Sequence, residues 1–433
     1  MASSSNDSSR VSHPVVLSTQ TPYPLPSQKF MIPANWKRYQ LSQLINKALS
    51  LPKPIPFDFL VRGEVLRTSL GEWCAEHGLQ EEETLDIEYI QSVMPPQQIS
   101  DIPHEDWVSS VVCGLQGHFV TASYDGYIRT FDYSKNMVAN RQLHTAPITS
   151  VCVLPSDPTL VATSSQDLTA QISRIDSSAV QPLATLHLHT SPVSSITSSP
   201  SGNHLISASW DTLIGVWDTS IPSLDEVAAD QVQAERKSKK RKVDESDRPK
   251  RKAPLSVLKS HTARVSKAIF TSEKNALSCG FDSTVRAWDT ELGICTNTII
   301  ASEKPFLDLA VLQDGNTALA ASTDRTVTIY DLTTDGASLS STVGTLVHPN
   351  TPSCIALSPR SSSSQQIATG SYDGVVRIWD LRSTKAAISS FKAWENKGKD
   401  GSRKILGLDW ANGVIGIGGE CGFEVWRVDE GSS

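Results

Sequence analysis

Four histidines in this chain keep a recurring distance from an aspartate: His144, His189, His261 and His348 precede Asp167, Asp211, Asp282 and Asp373 by 21 to 25 residues. With strand serines and threonines in between, these are the residue types of a Ser–His–Asp nucleophilic triad. A triad that attacks substrate occurs once, with its serine exposed at a strained elbow such as G-x-S-x-G. Here the set recurs and G-x-S-x-G is missing. The recurrence points to structure: the turn Asp orients the His, and a strand Ser/Thr and a Trp complete a buried polar network. Shared hydrogen bonds of this kind satisfy groups that would otherwise cost about 1–3 kcal/mol each when buried. The expected members are His189, Asp211 and Trp217; His261, Asp282 and Trp288; and His348, Asp373 and Trp379.

Two further sets of residues are candidates for binding. Glu81, Glu82 and Glu83 are consecutive; they are either solvated loop charges or a carboxylate offered to a cation or basic surface on a partner. Residues 236–252 hold ten Lys/Arg and three acids, a local net of +7 that leaves −14 for the rest of a chain whose total is −7. Within it, Lys239, Lys240, Arg241 and Lys242, followed by Lys250, Arg251 and Lys252, read as a nuclear import signal for an import receptor, or as a solvated loop with incidental RNA affinity.

The elements that position these residues are repeats. Residues 204–218 (HLISASWDTLIGVWD), 275–289 (NALSCGFDSTVRAWD) and 366–380 (QIATGSYDGVVRIWD) match one another, and 117–132 and 317–331 are close relatives. In all five an Asp lies seven residues before a second Asp that follows an aromatic residue, with alternating apolar positions on either side of a tight turn. That is a hairpin signature. A degenerate copy at 161–176 has its turn Asp167 nine residues before Asp176, which predicts a longer or bulged hairpin. The last copy, at 415–427, keeps Trp426 but has Cys421 at the turn. Seven copies at about 42 residues each, counted from residue 105 and leaving out an insertion at 221–254, predict a seven-bladed WD40 β-propeller. The chain ends soon after Trp426, so a segment near 95–104 is expected to supply the missing strand and latch the ring, which removes an exposed edge. The charged insertion cannot bury a core and is expected to be a disordered loop.

Ahead of the repeats the pattern changes. Strands are expected at Val15–Leu17 and Lys29–Ile32, a helix along Leu41, Leu44, Ile45, Ala48 and Leu51, and a strand at 56–61. A short helix with Leu70, Trp73 and Cys74 on one face should follow the caps Thr68–Ser69, before a last strand with Leu85, Ile87 and Tyr89. The order ββαβαβ fits a ubiquitin-like β-grasp over 14–92, after a disordered tail at 1–13 and before a linker at 93–104. The fold class is therefore mainly β, a propeller preceded by a small α+β domain.

Composition narrows the function. A net charge of −7 argues against a body that coats nucleic acid. The polar, Ser-rich start has no apolar core of a secretory signal, and no run of about 18 apolar residues marks a membrane span. Seven dispersed cysteines without a CxxC pair read as reduced intracellular thiols, with no metal-ligand spacing. With no phosphate loop either, the expectation is a protein that is not an enzyme, has no cofactor and works by holding macromolecules.

The stretches LPKPIPFDFLVRGEVLRTSLGEW at 51–73, DIEYIQSVMPPQQ at 86–98 and HEDWVSSV at 104–111 carry a more specific likeness. With the ubiquitin-like domain ahead of a seven-bladed propeller and a basic loop between blades, the chain resembles the ribosome-biogenesis WD-repeat protein 12 family, called Ytm in fungi. The resemblance implies a role in maturing large-subunit (60S) rRNAs and precursor particles in the nucleolus and nucleoplasm. It implies a propeller that docks on a block-of-proliferation (Erb) protein, and through it Pescadillo. It also implies a ubiquitin-like domain that binds the adhesion site of Midasin (Rea), an AAA ATPase that releases assembly factors. Matching through Gly78, Leu79 and Leu85 places at Glu82 the acid that completes the partner's Mg²⁺ shell, with Glu81 and Glu83 beside it. Rival readings are a ubiquitin-ligase substrate adaptor and a nuclear scaffold that binds RNA through its basic loop.

Overall fold

A computed structural model describes residues 11–80, 82–92, 95–176, 179–227, 248–300, 303–332, 342–359, 365–395 and 403–428. The first domain is built from β1 (Ser12–Ser18), β2 (Lys29–Pro33), α1 (Arg38–Ala48), β3 (Phe57–Val61), β4 (Glu64–Val65), α2 (Leu70–Glu76) and β5 (Leu85–Gln91). Its sheet order is β2-β1-β5-β3-β4, with β1 and β5 parallel at the centre, the ubiquitin-like grasp. β1 opens at Ser12, inside the expected tail, because Ser12 and His13 pair with Pro33 and Ile32. The short β4 adds a strand to the expected order. It is joined to β3 by a two-residue turn, Arg62–Gly63, in which both residues have φ > 0 (51° and 78°), the hairpin geometry that glycine makes easy.

α1 and α2 lay Leu41, Ile45, Leu70, Trp73 and Cys74 on the buried sheet residues Val15, Phe57, Phe59, Ile87 and Tyr89. Each aliphatic side chain so buried contributes roughly 1.5–3 kcal/mol. Leu51 lies beyond the end of α1. Ser69 caps α2, its hydroxyl accepting from Glu72 N–H while the Glu72 carboxylate accepts from Ser69 N–H, a capping box.

Seven sheets follow, and the innermost strand of each packs on that of the next until the seventh returns to the first. Apolar clusters fill the spaces between neighbouring blades, such as Phe119 and Phe131 of blade one against Phe423 of blade seven. A blade is therefore covered on both faces. That is why a second strand such as Gln366–Ser371 is buried along its whole length. Blade seven is completed by β6 (Gln97–Ile102), which runs antiparallel to Gly422–Arg427 with Ile102 opposite Phe423. The ring is latched by chain from the N-terminal side, as the missing edge required.

Blade two corrects one expectation. Its hairpin pairs Ser164 with Ala170 across five residues, the same closure as Ala208 with Ile214 in blade three. It is neither longer nor bulged. Asp176 is not the counterpart of the second Asp: Arg174 stands there, opposite Leu160, and Ser173 takes the Trp position. Ser173 is fully buried and its hydroxyl has no partner among the described residues.

The insertion corrects another. Residues 228–247 lie outside the described residues, but Lys250–Lys252 form a fifth strand of blade two, parallel to Val180–Leu186. Asp218 and residues from the first half of the same excursion hold it through side-chain and backbone bonds. Lys252 Nζ is 2.5 Å from Asp218 Oδ1, Asp225 accepts from Arg251 N–H, and Arg251 O accepts from Glu226 N–H. The open edge of blade two supplies the backbone partners that a purely electrostatic reading of the sequence leaves out.

Candidate functional site

The turn aspartates do one thing alike in six blades. Asp125, Asp167, Asp211, Asp282, Asp324 and Asp373 each use Oδ1 to accept the N–H two residues on. The residue between is held at positive φ: Gly126, Leu168, Thr212, Ser283, Arg325 and Gly374. This Asx turn sets the hairpin, and it lets four non-glycine residues occupy a left-handed conformation.

The second carboxylate oxygen distinguishes the blades. In blade three Asp211 accepts from His189 Nδ1 at 3.1 Å and Thr190 N–H at 2.9 Å; in blade four Asp282 accepts from His261 Nδ1 at 2.8 Å. Blade two repeats this with His144 and Asp167 at 2.9 Å. A carboxylate only accepts, so Nδ1 carries the proton and Nε2 accepts from the strand hydroxyl. That hydroxyl in turn receives the indole N–H: Trp217 to Ser207 at 2.9 Å and Trp288 to Ser278 at 2.7 Å. Burial pushes the Asp211 and Asp282 carboxyls up, but the hydrogen bonds they accept from the histidines and from neighbouring N–H and O–H groups outweigh it and hold both below the usual carboxylate range. The chain Trp–Ser–His–Asp has the connectivity of a triad, yet Ser207 and Ser278 are wholly buried and already accept from an indole. No substrate carbonyl can reach them.

Blade six departs from the expected pattern. His348 does bond Thr369, which receives Trp379 Nε1, but its Nδ1 donates to Leu346 O at 3.2 Å instead of to Asp373. Arg377, four residues after the turn, takes the Asp373 oxygen at 2.8 Å, and Pro349 has no N–H to match that of Thr190. The wider His348–Asp373 spacing comes from the connection between the first two strands and does not displace the histidine. Blade one is built the same way, with Arg129 on Asp125 at 2.6 Å and His104 donating to Ile102 O. The sequence reading passed over His104, although it stands 21 residues before Asp125, the separation of His261 and Asp282.

The acidic loop between α2 and β5 is the second candidate. Glu81 lies outside the described residues. Glu83 is tied to Arg62 at 2.5 Å. Glu82 is exposed and has no hydrogen-bond or ion-pair partner among the described residues. Of the two described acids, it is the one whose carboxylate is available. The domain that carries it is docked on blade six. Arg382 bridges Asp380 at 2.6 Å and Glu88 at 2.8 Å, Lys385 pairs with Glu64, and Arg67 donates to Ala387 O at 2.6 Å. Gly63 sits where a Cβ would come within 3.3 Å of Arg382 O.

The basic segment divides in two. Lys239, Lys240, Arg241 and Lys242 lie outside the described residues, while Lys252 is 2% exposed and committed to Asp218 and Ser220. No group of three or more His, Cys, Asp or Glu among the described residues could hold a metal.

Comparison with known proteins agrees with this architecture. Residues 14–74 match the NLE (NUC135) domain, and 136–172, 180–218, 252–289 and 340–380 match the WD domain, G-beta repeat. The ribosome biogenesis protein YTM1 of Laccaria bicolor is 56% identical, over 98% of this chain and 97% of its own length. The chain belongs to the YTM1 family of ribosome biogenesis proteins. YTM1 of Coprinopsis cinerea is 59% identical over 98% of the chain, and that of Saccharomyces cerevisiae 30% over 92%. The WD40 β-propeller domain of Doa1 superposes on 78% of this chain with a TM-score of 0.60 at 19% identity, a likeness of fold alone.

The NLE match ends at Cys74, before the acidic loop. The residues just before the turn Asp in this YTM1-family chain went unread in the sequence, yet four of them are aromatic: Tyr124, Trp210, Phe281 and Tyr372. The available signal was an aromatic side chain at a turn where nothing in the hairpin requires one.

Proposed function

We propose that this YTM1-family chain is a non-catalytic assembly factor for the large ribosomal subunit, acting in the nucleolus and nucleoplasm. Its propeller docks on a block-of-proliferation (Erb) protein in a complex with Pescadillo, and its ubiquitin-like domain presents Glu82 to the Mg²⁺ of Midasin's adhesion site. The observation that carries the second half is the contrast in the acidic loop: Glu83 is spent on Arg62, whereas Glu82 is exposed with no partner among the described residues. Mg²⁺ takes six oxygens, and an adhesion-site cation leaves one position for an incoming carboxylate. The metal is the partner's; this chain contributes one ligand. Glu82→Ala is expected to abolish metal-dependent binding of the Midasin adhesion domain in a pull-down while the Erb complex stays intact. Glu83→Ala should keep both. Normal metal-dependent binding by Glu82→Ala would sink the assignment.

Nuclear import rests, in this reading, on Lys239–Lys242 alone, because Lys252 is folded into blade two. Alanines at 239–242 should abolish nuclear accumulation of a fluorescent fusion, whereas Lys250→Ala together with Arg251→Ala should leave it in place.

A further inference from the structure

One backbone hydrogen bond repeats in every blade. The residue before the turn donates its N–H to the residue that leads into the first strand: Tyr124 to Trp107, Gln166 to Pro147, Trp210 to Pro192, Phe281 to Arg264, Thr323 to Pro305, Tyr372 to Thr351 and Glu420 to Lys404, all at 2.8–3.2 Å. Two side chains per blade are thereby set next to each other on one rim of the ring. Between blades three and four this places Arg264 against two aromatic rings. Its guanidinium lies 3.4 Å from the Phe281 ring centroid and 5.2 Å from that of Trp210, and Trp210 is 42% exposed.

Arg264 differs from the arginines inside the blades. Arg129, Arg286 and Arg377 are each within ion-pair distance of a turn Asp, at 2.6, 3.6 and 2.8 Å. Lys404, the rim cation over Tyr372, has Glu420 at 3.8 Å. Arg264 has no carboxylate within that distance among the described residues, and Asp211 and Asp282 on either side are occupied by His189 and His261. Contact with the Phe281 ring at 3.4 Å restrains the guanidinium, so less side-chain entropy remains to be lost on pairing.

We propose that Trp210, Arg264 and Phe281 form a docking box for an acidic, extended segment of a protein partner. An Asp or Glu carboxylate lies on the free edge of Arg264, and a neighbouring apolar side chain packs on Trp210. Exposed Trp and Arg are the residue types that dominate protein interfaces, and a guanidinium edge is the complement of a carboxylate. A nucleic acid fits the rim less well. A phosphate backbone needs several cations along its path, and this box offers one, while the same rim carries Glu105 and Asp106 beside Trp107, and Glu420. The inference rests on the reading of the propeller as a docking body and gives that body a site and a ligand chemistry.

The test uses the full chain and an array of 12-residue peptides that place one to three Glu or Asp beside Leu or Phe, with Gln/Asn counterparts and a 12-nucleotide oligo(U) RNA as comparators. Binding is read by fluorescence polarisation at physiological salt. Acidic peptides should bind at least tenfold tighter than their amide counterparts. Arg264→Glu and, separately, Trp210→Ala should each weaken binding at least tenfold, with unchanged far-UV circular dichroism. Trp210→Ala leaves the backbone hydrogen bond to Pro192 in place, so it serves if Arg264→Glu fails to fold. Wild-type-like peptide binding by both variants, no acidic peptide bound at 100 µM, or oligo(U) bound tightly through Arg264 would each overturn the proposal. Co-sedimentation with large-subunit precursors separates the two readings: wild type that co-sediments without binding any peptide defeats only the box, whereas wild type that fails to co-sediment defeats the docking body.

Discussion

Blades three and six read almost identically, with a histidine, a buried strand hydroxyl, a turn Asp and a Trp, yet they are wired differently. In blade three His189 bonds the turn aspartate; in blade six Arg377 does, and His348 turns its Nδ1 to a backbone carbonyl. The shared part is the Asx turn, which is local and needs only the Asp. The variable part is the donor to Oδ2: Arg377, four residues after Asp373, takes it in blade six, whereas blade three has Gly215 at that position and His189, 22 residues before Asp211, takes it. A motif therefore fixes the hairpin without fixing the network around it.

The largest expected effect comes from removing the shared acid. Asp211→Ala loses the Asx turn and leaves His189 Nδ1 and Thr190 N–H without their acceptor, so it should destabilise the chain by about 4 kcal/mol in chemical denaturation. A loss under about 1 kcal/mol would show that the buried network is dispensable.

Acid should then separate the two blades. Burial lowers His348 to about 4, below the 6.5 of an unfolded histidine. The native state thus binds fewer protons than the unfolded one between these values. His348 contributes full stability above pH 6.5, and about 3 kcal/mol of it is lost as the pH falls to 4. Asp211 is depressed, so its contribution holds above the unfolded carboxylate value near 3.9 and is lost only as the pH drops through its lower folded value. Blade six should weaken first. Denaturation of His348→Gln should show a shallower decline from pH 6.5 to 4 than wild type; equal slopes would contradict the burial argument.

Double-mutant cycles test the wiring itself. His189 with Asp211, and Arg377 with Asp373, should couple by about 1–2 kcal/mol, whereas His348 with Asp373 should couple by less than about 0.5 kcal/mol. Strong coupling in the last pair would erase the distinction between the blades.

Blade two supplies the smallest effect. Ser173 occupies the Trp position with no partner for its hydroxyl among the described residues, so Ser173→Ala should be neutral or stabilising by about 0.5–1 kcal/mol, read as a small upward shift of the unfolding midpoint. A clear loss of stability would mean that the hydroxyl has an ordered partner.

Much of the fold was legible because its signals are local. The alternation around each turn Asp marked the hairpins, and the caps at Thr68–Ser69 marked α2. The missing strand of blade seven was legible as a deficit, since a ring cannot leave one blade short. Misreadings arose where distant residues compete. Counting from Asp167 to Asp176 suggested a bulge, but cross-strand pairing placed Arg174 in the second-Asp position. Charge along 236–252 suggested a loop free of structure, but Asp218 and the open edge of blade two, remote in sequence from Lys252, recruited its end as a strand. For the acidic loop, matching of sequence selected Glu82 among three neighbours, while the availability of its carboxylate depended on Arg62 reaching Glu83.

The sequence by itself determined the number of hairpins, the β-grasp pattern and the turn that each aspartate makes, because these follow from periodicity and from bonds two residues long. Only the tertiary structure decided which partner each aspartate's second oxygen takes, that the basic strand folds onto blade two, and that Arg264 meets Trp210 and Phe281 on the rim. His189 reaches Asp211 from 22 residues upstream, the basic strand reaches blade two from the connection after Asp218, and Arg264 meets Trp210 across a blade boundary, so these contacts depend on which groups folding brings within reach.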